Sequence, residues 1–577
     1  MPRLRFAGIL ALFTCVIFTG YCESSNEAVR NGAIIPTDRL YEWGAYCGVP
    51  GGIPDRATIY RTLTVANTTA EINAAIAACP ENQVVYLAAG TYRIGQIDFG
   101  SKHGITLRGA GAGETIIQPT ATPCFVNTDK TYAEASGIDV VGGYTKDSTA
   151  ITLASAPTSQ FVAGNIIAIT EAISPDIWGR DIGVYTRTTV PAGASIEGLN
   201  QYRCFRHMNR ITSVVGNTIN LAAPLPLDFS PSLNVKAYPP SSSGFFSLCG
   251  IEDLTIDCNN SVGQPIRFIS ADRCWVKDVE VKGVASSDRG QILIYKSFQC
   301  EVRRCYIHDV SGFPTQQDGY AVCFDYGASN CLLVDNIARR VASLNESNGA
   351  AANAYIYNYA MDQQRATYSG QGLFINHGPH GFMDLYEGNI VYNVSNDGYH
   401  GSGSHHTAFR NNINGVNSNP MYSGYWHMIN LCRGSYYHTI VGNIIGDSSW
   451  TVENYDFPVG GSGQGVYRLG FPNVENNSLT PAIVWANYDA GYPDPNVAAT
   501  LLRHGNYDYF SKATVWDDTI SSRTIPNSLF YSTKPDYFGA LQWPPIGPDV
   551  SGLVNAIPAK ARWDRYLGTG DISDLFR

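Results

Sequence analysis

Charged side chains are scarce in this chain, at 15% of its residues, against roughly 25% in an average soluble domain. Apolar residues still reach 44%, which excludes a disordered polyelectrolyte, since that class combines few apolar groups with much charge. Positive charge is the scarcer sign: 39 Lys and Arg stand against 49 Asp and Glu, a formal charge of −10. The basic footprint needed to neutralise phosphates is missing, so no nucleic-acid partner is expected. Beyond the N-terminus there is no apolar run long enough to span a bilayer, and no membrane span is expected. The 14 Cys are thin over 577 residues and contain no Cys-x-x-Cys pair, which excludes a disulfide-stapled miniprotein and a structural zinc site. Cys47 and Cys79 are expected to form a local bridge. Lysine vanishes between Lys296 and Lys512.

What is present begins with an export pattern. Arg3 and Arg5 precede an apolar run from Phe6 to Phe18, followed by Thr19 and Gly20. That is the layout of a secretory signal peptide over residues 1–22, and it places the mature chain outside the cytoplasm, secreted, periplasmic or at the cell surface.

The second half is organised by a repeat. Asp253-Leu-Thr-Ile, Asp278-Val-Glu-Val, Arg304-Cys-Tyr-Ile, Asp335-Asn-Ile-Ala, Tyr357-Asn-Tyr-Ala, Gly388-Asn-Ile-Val, Asn411-Asn-Ile-Asn and Gly442-Asn-Ile-Ile start 25, 26, 31, 22, 31, 23 and 31 residues apart. Each is a short apolar segment bounded by turn residues. Such a step suits three short strands and three turns, and a unit of that size buries its apolar face only by stacking on its neighbours. Asn336, Asn358, Asn389, Asn412 and Asn443 follow their unit starts by one place, as a ladder of turn amides would. Upstream, Thr68-Thr-Ala-Glu71 reads as a capping box opening a short helix that covers the solenoid end. The expected layout is a cap with first coils over 30–130, an inserted β subdomain over 131–240, main coils over 241–455, and a Pro- and aromatic-rich tail over 456–577 that packs on the solenoid.

Ile72-Asn-Ala-Ala-Ile-Ala-Ala-Cys-Pro, Val84-Val-Tyr-Leu-Ala-Ala-Gly-Thr-Tyr and Gly104-Ile-Thr-Leu-Arg-Gly-Ala-Gly together resemble the opening of the pectate-lyase-like superfamily, nearest its rhamnogalacturonase and epimerase branch. The resemblance implies an all-β, right-handed parallel β-helix and a secreted carbohydrate-active protein with a polysaccharide as its partner. It does not choose the reaction, because fold does not fix function. Solenoids of this kind occur as monomers or side-by-side trimers, and both stay open.

Seven of the 11 His lie between His377 and His438. His377 precedes Gly388 by 11 places and His400 precedes Asn411 by 11, so the two are expected as neighbours on adjacent coils. Asp397 is the expected catalytic carboxylate, with His400 and His377 holding or titrating it. Asp325 or Asp384 would supply the second carboxylate that glycoside cleavage needs, and imidazole suits acid or base work near neutrality. Tyr399, His405, Trp426 and His427 are expected to contact sugar beside Asp325, and Trp450 is a further stacking residue. A hydrogen-bonded structural stack is the competing account of the paired His. Glu387 and Arg410, equivalent by the same phasing, are expected to stack as an ion pair. The lysine gap disfavours a lyase that works through basic side chains, although His400 with Tyr399 or Tyr422 could perform β-elimination. Hydrolysis is favoured, with a lyase or a non-catalytic glycan-binding solenoid as alternatives. No cofactor is expected, calcium entering only under the lyase reading.

Overall fold

Each repeat turns on one residue held in the left-handed region. Asp253, Asp278, Arg304, Asp335 and Tyr357 have φ between 52° and 59°, and Gly388, Arg410 and Gly442 occupy the same corner with φ of 66°, 51° and 69°. Asp and Gly adopt this conformation at low cost, which is why they start so many units. The corner joins two short parallel strands, as in Leu332–Val334 and Ile337–Arg339, and a looser connection leads to a third, Asn345–Asn348.

The computed structural model describes residues 34–172, 203, 205–285, 290–315, 318–364, 371–378, 380–396, 402–416, 427–449, 453–458, 463–471 and 493–577. Stacking of the units yields a parallel β-helix with three sheets. The first carries the register Val302, Leu333, Tyr355, Tyr386, Ala408 and Ile440. All six point into the core, where Tyr355 and Tyr386 stack at 4.6 Å. The second includes Tyr306–His308, Ile337–Arg339 and Tyr359–Met361. The third runs from Ile97–Asp98 through Tyr320–Asp325, Asn345–Asn348, Leu373–Gly378 and Gly465–Leu469 to Asn454–Asp456.

The amide ladder is real, with one correction. Asn336, Asn358, Asn389, Asn411 and Asn443 each pass a side-chain N–H to the next amide oxygen at 2.9–3.0 Å, the last of them to Asn506. The rung is Asn411, not Asn412, which opens the strand Asn412–Ile413. In Arg410-Asn411-Asn412 the left-handed corner falls on Arg410, so the unit begins one residue earlier than its pattern implies. That slip also removes the expected Glu387–Arg410 pair. Glu387 stands opposite Phe409 and accepts from Leu529 N–H at 2.8 Å, Tyr357 O–H at 3.0 Å and the Ser528 hydroxyl. Arg410 instead forks onto Asp549 at 2.8 Å.

The end helix, Thr69–Ala78, has the expected reciprocal capping box between Thr68 and Glu71 and buries Ile72, Ala75 and Ile76 over the first coils. Between the second and third coils, strands from Ile138–Gly142 to Lys236–Tyr238 close into a six-stranded antiparallel barrel. The barrel docks on the corner between the third and first sheets, through Phe205 stacked on Phe382 at 4.0 Å, His207 Nε2 on Asn330 Oδ1 at 2.9 Å and Arg210 on Asp272 at 2.7 Å. The tail returns along the first two sheets, where Arg562 bonds Asp335 at 2.8 Å and Trp543 N–H reaches Tyr357 O–H at 3.1 Å.

Cys47 and Cys79 are not bridged. Both thiols are free and buried. Cys47 donates to Ala352 C=O at 3.0 Å under the first sheet, while Cys79 packs at the end of the N-terminal helix.

Candidate functional site

Two of the clustered His, His406 and His438, and Asp384 belong to a second ladder inside the coil. Backbone N–H groups of Cys331, Asn353, Asp384 and His406 bond the side chains of Asn353, Asp384, His406 and His438 in turn, at 2.8, 2.8, 3.2 and 3.3 Å. Burial pushes Asp384 up to about 7 and His438 down to about 3, and holds His406 well below the usual imidazole range. Asp384 also accepts from the Ser347 hydroxyl at 2.9 Å within the core. It is a rung of the interior and is not available as a second catalytic carboxylate.

The remaining expected residues divide. Asp397, Tyr399, His400, Tyr422, Trp426 and Trp450 lie outside the described residues. His405 sits on the turn into the first sheet, buried, with φ +58° and its ring stacked on Tyr437 at 5.0 Å. His427 belongs to the third sheet but is packed against Phe457 at 4.7 Å, and its Nδ1 accepts from Gly465 N–H at 3.2 Å. Burial pushes it down to about 3, with the Arg468 charge adding to the shift. Both rings therefore serve packing.

Asp325 and His377 are brought to one face. In the third sheet Val322 and Phe324, like Leu373 and Ile375, enter the core, so the alternation of a strand turns Cys323, Asp325 and Phe374 to the other face of the sheet, where all three are buried. Registers across this outer face run Leu293, Cys323, Glu346, Phe374, Ser395, Asn430 and Arg468. A second row sets Tyr295 beside Asp325 and Asp325 beside Asn348. His377 stands off the ladder because the strand Leu373–Gly378 bulges: Glu346 faces Phe374, yet Asn348 faces Gly378, two residues further than an even register allows. Bulges re-aim side chains in this way. His377 is thereby aimed at Glu346, with Nε2 3.5 Å from Oε1 and its own side chain 20% exposed.

Glu346 was not among the expected residues. Its carboxylate is 1% exposed, and Oε2 accepts from the Cys323 thiol at 2.8 Å. The repeat did carry a signal for it. Glu346 precedes the corner residue Tyr357 by 11 places, the same offset that separates His377 from Gly388. Aromatic rings flank the pair: Phe374 lies 5.0 Å from His377, and Tyr295 and Tyr326, both half-buried, meet at 4.6 Å beside Asp325. Asp325 Oδ1 accepts from Tyr326 N–H at 2.8 Å. Among the described residues no group of three or more His, Cys, Asp or Glu could hold a metal ion, and no helix is long and apolar enough to cross a membrane.

No family model matches the chain, and no curated protein matches it. Among solved structures it is similar to the tailspike gp49 of Pseudomonas phage LKA1, at 16% identity over 66% of this chain and 69% of that one, with a TM-score of 0.34. It is also similar to the A-module of the Azotobacter vinelandii mannuronan C-5 epimerase AlgE4, at 13% identity over 70% and 88%, with a TM-score of 0.29. For the catalytic unit of a GH87 alpha-1,3-glucanase from Streptomyces thermodiastaticus the values are 11%, 74%, 70% and 0.31. The coils are of the parallel β-helix kind that the opening segment implied.

Proposed function

We propose that this chain is an exported enzyme that hydrolyses a polysaccharide along the outer face of the third sheet. One observation carries the reading: the buried Glu346 carboxylate is shared between a thiol and the partly open His377 imidazole on a face that also bears Asp325. A buried carboxylate is costly without partners, and here one of its partners is a group able to take up and release protons near neutral pH.

In this mechanism His377, backed by Glu346, accepts a proton from the attacking water, and Asp325 protonates the departing glycosidic oxygen. Asp325 lies one strand from Glu346 and two positions along it, since its opposite number is Asn348. Strand geometry then sets their Cα atoms roughly 8 Å apart. Tyr295 and Tyr326 would offer their rings to sugar faces on the Asp325 side.

The test is a screen of the mature chain, with Glu346→Gln and His377→Ala, against plant, algal and microbial glycans. The expected result is new reducing ends without the ultraviolet absorbance of an unsaturated sugar, lost in both variants while the thermal melt is kept. An unsaturated product would replace hydrolysis by β-elimination. Glycan binding without any product would make the chain a binding solenoid, and full activity in both variants would move the site elsewhere.

A further inference from the structure

We propose that Cys323 is a positioning residue for the proton-moving pair, its thiol holding Glu346 by Oε2 so that Oε1 is turned to His377. This deepens the hydrolytic reading and rests on it. Cys323 and Glu346 are direct partners on the adjacent strands Tyr320–Asp325 and Asn345–Asn348, so backbone ladder bonds, and not a loop, fix the distance between them. The Sγ to Oε2 separation is 2.8 Å. Around the sulfur lie Leu293, Tyr320, Ala342 and Phe374, a wall of mostly apolar groups within which the carboxylate accepts the thiol hydrogen.

The other cysteines show that this bond is particular. The thiols of Cys47, Cys124, Cys274, Cys305, Cys331 and Cys432 donate to backbone carbonyls. The thiol of Cys323 instead donates to a carboxylate. The Cys323 thiol is enclosed by that wall and bonded to Glu346, and it acts through Glu346. A neutral donor suits the task. It fixes one oxygen without bringing a cation that would compete with the imidazole for the negative charge.

The experiment compares Cys323→Ala and Cys323→Ser in the full chain, by kcat, KM, pH–rate profile and thermal melt. Alanine removes the donor and is expected to lower kcat about tenfold, the worth of a hydrogen bond to a charged group, with KM within about twofold. Its pH–rate profile should depart from that of wild type, because His377 then works against a carboxylate oxygen no longer fixed by a donor. Serine keeps an O–H donor at the same place and should restore both kcat and the profile. Wild-type kcat and profile in Cys323→Ala would overturn the assignment, and so would a serine variant as impaired as alanine, which would make the role one of volume. If Glu346→Gln and His377→Ala are inactive while Cys323→Ala is normal, this inference alone fails. If both of those variants are fully active, the hydrolytic reading fails and takes it along.

Discussion

Glu346 and Asp384 stand on opposite sides of one wall. Ser347, the residue after Glu346, donates its hydroxyl inward to Asp384 at 2.9 Å, while Glu346 itself meets the Cys323 thiol outside at 2.8 Å. The two acids differ in surroundings and so in use. Asp384 is ringed by Asn353, Ser347 and Tyr386 in the coil; Glu346 alone of the two adjoins a ring that reaches solvent.

Substitution at the two acids should therefore separate catalysis from folding. Glu346→Gln is expected to lower the rate of glycan cleavage by about 10²–10⁴, the usual worth of a positioned acid or base, with little change in the melt. Asp384→Asn, with its amide inside the ladder, should leave the rate within about threefold. Steady-state rates and melting curves on the same preparations check both.

Asp384 also makes a pH signature. Burial raises it to about 7, so its folded pKa lies above the unfolded one. Its contribution is fully present below about pH 4 and is lost as the pH rises through about 7. His438, pushed down to about 3, and His406, also lowered, act oppositely: their contribution is present above about pH 6.5 and fades as the pH falls. Taking Asp384→Asn relative to wild type cancels the His terms. The variant should match wild type near pH 4 and exceed it near pH 8 by on the order of 3 kcal/mol, read from denaturant unfolding at each pH.

The pairing of Asp325 as acid with His377 as base carries a stereochemical expectation. Because His377 activates water and neither carboxylate attacks the sugar in this mechanism, displacement is a single step and the product sugar should form with inverted anomeric configuration. Proton NMR of the first product, before mutarotation, reads it directly; retention would assign the two carboxylates differently.

Arg562 and Asp335 join the tail to the solenoid as a buried pair, at 2.8 Å with both side chains under a tenth exposed. Arg562→Met leaves Asp335 charged and unpartnered, which should cost about 3 kcal/mol of stability. Adding Asp335→Asn to that variant should recover much of the loss. Unfolding of the single and double variants checks the cycle.

The solenoid was legible because its physics is local and periodic. A left-handed corner every 22 to 32 residues, with an Asn one place on from Asp335 onward, forces equivalent residues into columns, and the stacked amides then complete one another's hydrogen bonds. Where the phasing failed, at Arg410-Asn411-Asn412, two consecutive Asn offered equal starts, and only the backbone could show which of them stacks on Asn389. The same slip created the expected Glu387–Arg410 pair that the tail instead divides between Ser528, Leu529 and Asp549.

The amino-acid order by itself determined the winding, the helix that covers its end and the columns along which chemistry could gather. The tertiary structure decided which column faces outward and where one strand bulges. That separates Glu346 with His377 from the buried Asp384, His406 and His438, since the repeat period sets which residues stack but carries no sign for inside or outside. Side-chain alternation and a two-residue irregularity at Phe374–Gly378 supply that sign, and both depend on strands that are distant in the chain.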